Sequence, residues 1–276
     1  MQRLGSSIAR QRWTLRRFGV SPAMLLRRIA DPGAPRVLCV SLPKAGTHLL
    51  ERAICLHPKL YRKILPTVSP ANIDRWGGFD GLLARLRPGQ VVVSHLHFQA
   101  PYVEELTRHG VRSIFLLRDP RAIVVSQSHY VVERSDHRLH EAFVGLTEPE
   151  RLRLAITGDP RIDMPSIGDR LASFSGWLDS GALAVRFEDL VGPAGGGDAA
   201  TQAATVSAIY GHLGLAEDDD LLRSVCERLF SSSSPTFRKG SIEGWRRSFD
   251  PTSEALLREV VGDRAVPYGY DLGERC

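Results

Sequence analysis

The chain of 276 residues has 36 Lys and Arg against 31 Asp and Glu, a formal net charge of +5, and 43% apolar residues. That is an ordinary globular composition with room for one large α/β domain, and the basic excess suits anionic ligands but is too small to indicate a nucleic-acid partner. Its four cysteines (Cys39, Cys55, Cys226, Cys276) form no C-x-x-C pair and no apolar run reaches the length of a membrane span, which sets aside a disulfide framework, a zinc site and a transmembrane segment.

Residues 1–30 stand apart. Arg3, Arg10, Arg12, Arg16, Arg17, Arg27 and Arg28 precede the first acidic residue, Asp31, and are interleaved with Trp13, Leu15, Phe18, Met24, Leu25, Leu26 and Ile29. We favour an extension packed on the domain with its arginines in solvent. The competing reading is peripheral contact with an anionic membrane surface. The breaker cluster Asp31-Pro32-Gly33-Ala34-Pro35 marks a boundary, giving a basic extension over 1–34 and a single domain over 35–276. No signal-peptide pattern is visible, so a cytoplasmic location is expected, with membrane association only through the extension.

From Arg36 the pattern alternates. Strands are predicted over 36–41, 90–94, 111–117 and 182–187. Helices are predicted over 47–56, 80–87, 101–109, 120–133, 147–157, 167–179, 199–213, 218–229 and 252–262, with 60–80 loop-like. The uninterrupted Val91-Val92-Val93 suits a parallel strand buried on both faces. Asp119-Pro120 is a good N-cap and first helical residue. Strands alternating with helices imply a three-layer α/β fold, a central parallel sheet flanked by helices, whose ligands bind beyond the C-terminal strand ends. Lys44, His95 and Arg118 stand at three of those ends.

Ser41-Leu42-Pro43-Lys44-Ala45-Gly46-Thr47-His48-Leu49 reads as strand, anion loop, helix: a lysine beside a helix start, with a glycine that lets the backbone close in. The loop is not G-x-x-x-x-G-K-[ST], and the third strand ends in Arg118 rather than Asp, so the metal–nucleotide apparatus of an ordinary NTPase is missing and no metal is called for. Arg118-Asp119-Pro120-Arg121 followed by Ser126 offers a guanidinium fork and a hydroxyl to a phosphate. Arg238-Lys239-Gly240, with Gly244-Trp245 after it, suits a second phosphate group. A lysine loop and two separate cationic clusters suggest a nucleotide with phosphates at both ends.

Together, from about Arg36 to Phe249, these motifs resemble the sulfotransferases that use 3′-phosphoadenosine 5′-phosphosulfate (PAPS), both cytosolic and glycan-modifying. The resemblance implies a P-loop-NTPase-like fold and sulfuryl transfer to a hydroxyl or amine of a small-molecule, lipid or glycan acceptor, releasing 3′-phosphoadenosine 5′-phosphate (PAP). It implies that Lys44, Ala45, Gly46, Thr47 and His48 hold the 5′ end of the nucleotide. It assigns Arg118, Ser126, Arg238, Lys239 and Gly240 to the 3′-phosphate and Phe187, with Phe230 more loosely, to the adenine side. His95, in Ser94-His95-Leu96-His97, matches the family's catalytic histidine, with Val93 and His97 replacing the flanking lysine and proline. Leu49 stands where many cytosolic members carry a tryptophan stacked on adenine, which brings the loop nearer in flavour to the glycan-modifying branch, where the base is often a carboxylate. Glu51 reads as structural. Ser135, His137, Arg138 and His140 are candidates for acceptor contacts. Two alternatives remain open at this point: a nucleotide-dependent kinase on a related fold, and a nucleotide-binding protein without turnover.

Overall fold

The computed structural model describes residues 31–63, 65–230 and 241–273. The basic stretch 1–30, Cys276, and Arg238, Lys239 and Gly240 lie outside them. One sheet contains β1 (Arg36–Ser41), β2 (Tyr61–Arg62), β3 (Gln90–Ser94), β4 (Val111–Leu117) and β5 (Leu183–Arg186), all parallel, in the order β2-β3-β1-β4-β5. Val37 pairs with Val91 on one side and Arg112 on the other. β1, β3 and β4 are almost wholly buried, as strands covered on both faces must be.

The helices are α1 (Thr47–Cys55), α2 (Gly78–Ala84), α3 (Pro101–Arg108), α4 (Pro120–Glu133), α5 (His140–Val144), α6 (Glu148–Thr157), α7 (Ile167–Phe174), α8 (Phe187–Leu190), α9 (Ala199–Leu213), α10 (Asp219–Leu229) and α11 (Pro251–Val261). They flank the sheet and complete the three-layer α/β arrangement expected from the alternation. Their starts follow local chemistry: Asp119, Ser166, Asp198, Asp218 and Asp250 each accept a first-turn N–H, and Thr147 with Glu150 forms a capping box.

Three boundaries differ from expectation. The stretch 60–80 contains β2, a 3₁₀ turn (Ile73–Trp76) and the start of α2. β2 is only two residues long, too short to show an alternating pattern. The helix expected over 167–179 ends at Phe174 and continues as a 3₁₀ turn, Ser175–Asp179. Gly176 explains the change: a Cβ there would lie 2.0 Å from Phe98 Cδ1, so the tighter turn and the bare glycine let the 95–98 segment pack close. Residues 187–190 form α8 rather than extending the last strand.

Because β3, β1 and β4 are neighbours, their C-terminal ends bring His95, the lysine loop and Arg118 side by side. Several tethers fix that edge. Tyr210 donates to the Ala53 carbonyl (2.8 Å), holding α9 on α1. Trp177 Nε1 donates to Leu96 O (2.9 Å), and Phe98 N to Ser173 O (2.8 Å), holding the chain just after His95. His95 N donates to Val68 O (2.7 Å). Among the described residues no helix is long and apolar enough to cross a membrane.

Candidate active site

The loop from Ser41 to Thr47 is tight and strained. Lys44 has φ 74° and Gly46 φ 103°, both left-handed. For a lysine that conformation costs about 1–3 kcal/mol and persists only where the surroundings impose it. Ser41 Oγ and Thr47 Oγ1, 2.7 Å apart, tie the two ends of the loop together. No side chain caps the start of α1, so the positive end of the helix dipole is left to the loop, while Leu49 N is already taken by the Gly46 carbonyl (2.8 Å).

Gly46 is required twice over. Its backbone is left-handed, and a Cβ would fall 2.4 Å from Phe187 Cδ2. Gly46→Ala is expected to cost about 3 kcal/mol, combining the left-handed penalty with overpacking. Denaturant unfolding of the variant against the parent checks this.

Two half-buried cations flank the loop. The Lys44 ammonium lies 3.3 Å from the centroid of the Tyr130 ring. Burial, and then the charge of Arg118, lower its pKa to about 8. Arg118 lies on Phe187 (guanidinium carbon 4.1 Å from the ring centroid) and donates through Nη1 to the Lys44 carbonyl (3.0 Å). Its Nε is buried without an acceptor, and burial lowers its pKa also. Two desolvated like charges, one with an orphaned donor, are what a protein holds where an anion completes the structure.

His95 Nδ1 donates to the Ser41 carbonyl (2.7 Å), since a carbonyl can only accept. That bond places the neutral ring's lone pair on Nε2. Burial, with the nearby charges of His48 and Lys44, outweighs the raising effect of the Ser41 bond and lowers the pKa to about 4. His95 is therefore unprotonated at neutral pH. In the unfolded chain it takes up its proton near pH 6.5, so stability is intact above that value and falls as the pH drops toward 4. A shift of this size removes about 2 kcal/mol between pH 6.5 and 4.5. Thermal unfolding at the two pH values is expected to show a smaller loss in His95→Asn, which keeps a donor for Ser41 without the titrating ring.

The structure brings Lys44, Ala45, Gly46, Thr47, His95, Arg118 and Phe187 together. Ser126 lies half-buried on α4, the helix that Arg118 and Asp119 lead into. Arg118 does not project into the open but lies half-buried against Phe187. His48 turns its ring back to Glu51 (Nδ1 to Oε2 3.2 Å), which leaves the backbone of that residue for the loop. Glu51 is fully buried and paired with Arg62 (2.5 Å), a structural carboxylate as expected. His97 is exposed and meets the edge of Phe174 (5.3 Å). Leu49 packs, half-buried, on the core. Of the acceptor candidates, His137 is half-buried against Tyr130 (ring centroids 5.7 Å) and its pKa is lowered by burial, then by Arg138 and Lys44. Arg138 donates to the Ile162 and Asp163 carbonyls and His140 to the Val131 carbonyl, while Ser135 is exposed.

Two supports were not legible from motifs. Tyr130 holds Lys44. Its place one helical turn beyond Ser126, on the same face of α4, is the signal that points to it. Arg121 is clamped by Asp119 (2.7 Å) and stacks on Trp245 (4.2 Å), and Ile242 N donates to Gly195 O (3.0 Å). These contacts seat residues 241–249 on the start of α4. Glu188 accepts from Asp119 N (3.1 Å) and Tyr270 OH (2.7 Å), securing the same turn from beneath. No group of three histidine, cysteine or acidic side chains among the described residues is placed to hold a metal ion.

No protein-family model and no curated protein sequence matches the chain. Solved structures do. Mouse sulfotransferase SULT7A1 complexed with PAP is similar over 91% of this chain and 94% of its own, with 19% identity and a TM-score of 0.60. Retinol dehydratase, in complexes with androsterone and PAP and with retinol and PAP, is similar over 88% of this chain and 85% and 86% of its own, with 14% identity and a TM-score of 0.55 in each case. The chain thus has the sulfotransferase fold, a P-loop-NTPase-like α/β fold with a central parallel sheet between helices.

Proposed function

We propose that the chain transfers the sulfuryl group of PAPS to a hydroxyl or amine of a small-molecule acceptor. The observation that supports this most is the pair of half-buried cations, Lys44 and Arg118, on either side of an uncapped helix start and beside a histidine held as a free base. The orphaned Arg118 Nε and the bare α1 terminus fit phosphate groups. The fold's likeness to structures holding PAP supports the same ligand.

In this reading Lys44, Ala45, Gly46, Thr47 and the His48 backbone hold the 5′ end, Arg118 and Ser126 with Arg238, Lys239 and Gly240 hold the 3′-phosphate, and Phe187 lines the adenine side. When bound, PAPS supplies a sulfuryl group on a phosphate leaving group. Lys44 then leaves the Tyr130 ring and steadies the charge that grows on the departing oxygen. A bound polyanion offsets the desolvation that lowers the lysine's pKa and keeps it protonated. His95 Nε2 accepts the acceptor's proton while Ser41 fixes the ring. The same anionic charge raises the basicity of His95 from its low value in the empty site toward the working range. The acceptor lies on the side of Tyr130 and His137. The complexes of retinol dehydratase with retinol and androsterone support a small-molecule acceptor.

Calorimetric titration with PAP, followed by transfer of labelled sulfuryl from PAPS to a panel of small alcohols, phenols and amines, tests the reading. Binding of PAP and labelled product are expected. Failure of PAP to bind would overturn it.

A further inference from the structure

Arg170, on α7, is 7% exposed and has no acidic partner among the described residues. Its Nη1 donates to Gln127 Oε1 on α4, its Nη2 to the Ala155 carbonyl on α6 (3.3 Å), and its Nε has no acceptor. Burial alone brings its pKa down to about 10. A guanidinium taken out of water and left without a counter-charge is costly, and folded proteins pair such ions or neutralise them. The acidic residues of α6, Glu148 and Glu150, lie seven and five residues from Ala155, about 10 and 8 Å along the helix; Glu148 is turned to His129 (3.6 Å) and Ser248 (3.3 Å), and Glu150 accepts from Thr147 N (2.8 Å).

Its position gives this unpaired charge a meaning. Gln127 is one turn before Tyr130 on the same face of α4, and Tyr130 carries the Lys44 ammonium. On α7, Ser173 and Phe174, within the next turn after Arg170, bind the segment that follows His95, through Phe98 N and the His97 ring. Arg170 therefore bridges the two walls that stand on the acceptor side of Lys44 and His95. Gln127 is half-buried. Its carbonyl is taken by Arg170, so its amide N–H groups are left as donors beside the guanidinium. Two adjacent donors of this kind suit a carboxylate-like anion.

We propose that Arg170 and Gln127 form a subsite for an anionic group carried by the acceptor, which makes the substrate class hydroxy or amino compounds bearing a carboxylate or an equivalent charge. The term acceptor rests on the sulfotransferase reading; the anion site itself does not. Arg170 is a specificity-determining residue, separate from the loop that takes the nucleotide.

The test is calorimetric binding of 4-hydroxyphenylacetate and its neutral amide, 4-hydroxyphenylacetamide, to the full chain with and without saturating PAP. The acid is expected to bind at least tenfold tighter than the amide. Arg170→Met should bring the two within twofold, leave PAP affinity unchanged, and melt no lower than the parent, because it removes an unpaired buried charge. Equal binding, or none, of the two probes to the parent overturns the proposal, as does an acid preference that survives in Arg170→Met. A variant melting 5 °C or more lower with the acid preference intact marks Arg170 as a purely structural tie. If Arg170→Met does not fold, Gln127→Met is read instead, and an undiminished acid preference there is equally fatal. Should PAP fail to bind, the sulfotransferase reading falls, while the acid–amide difference in its absence still decides the role of Arg170.

Discussion

Lys44→Ala is expected to slow sulfuryl transfer by about a hundredfold, the ~3 kcal/mol that a single charge contact on a developing oxyanion supplies. The loss should fall mainly on kcat, because the backbone N–H groups of α1 and the Arg118 guanidinium still receive the nucleotide. Stability should move the other way. Lys44 holds a partly desolvated ammonium and a left-handed backbone, φ 74°, and Lys44→Gly removes both burdens, so that variant should unfold at higher denaturant than the parent while transferring as slowly as Lys44→Ala. Initial-rate kinetics and denaturant unfolding on the two variants read these effects separately. A Lys44→Gly protein that transfers at the parent rate would remove the lysine from the mechanism.

The second large effect belongs to His95. His95→Asn keeps a side-chain donor for the Ser41 carbonyl but has nothing in place of Nε2. Loss of a positioned general base costs 10²–10⁴ in rate, and kcat should drop by about that much with PAP affinity unchanged. The pH profile carries further information. At saturating PAPS, where the bound polyanion keeps Lys44 protonated, kcat of the parent should fall on the acid side, as the ring takes up a proton, and in the variant this limb should be absent. A variant that keeps both its rate and its acid limb would move the base elsewhere.

Much of the site was legible because its parts are local. The loop Pro43-Lys44-Ala45-Gly46-Thr47 announces itself by residue type, and Asp119-Pro120 by capping chemistry. The buried valine run of β3 ends on His95. The parallel order that sets β3, β1 and β4 side by side follows from strand–helix alternation, although the alternation does not say which strands are neighbours. What escaped motif reading depends on long-range contact. Tyr130 is an unremarkable tyrosine until a loop more than eighty residues earlier lays its lysine on it. Arg170 is one arginine among many until the fold buries it. The direction of the His95 shift is of the same kind: desolvation by distant segments, not the Ser-His-Leu-His sequence, lowers its basicity. The edge strand β2, at two residues, carries too little pattern to be seen.

The lysine resting on Tyr130 sets an admission threshold for ions. Any anion entering the loop competes with an aromatic face for the ammonium, and a cation–π contact shielded from water is worth about 2 kcal/mol, some thirtyfold in affinity. Chloride has one charge and no directed acceptor geometry, so it does not recover that energy. A nucleotide with phosphates at both ends takes the ammonium and the helix start with one and the guanidinium with the other, and does. Simple salts are therefore expected to leave the lysine on the ring, and only a ligand large and charged enough to engage every donor together releases it.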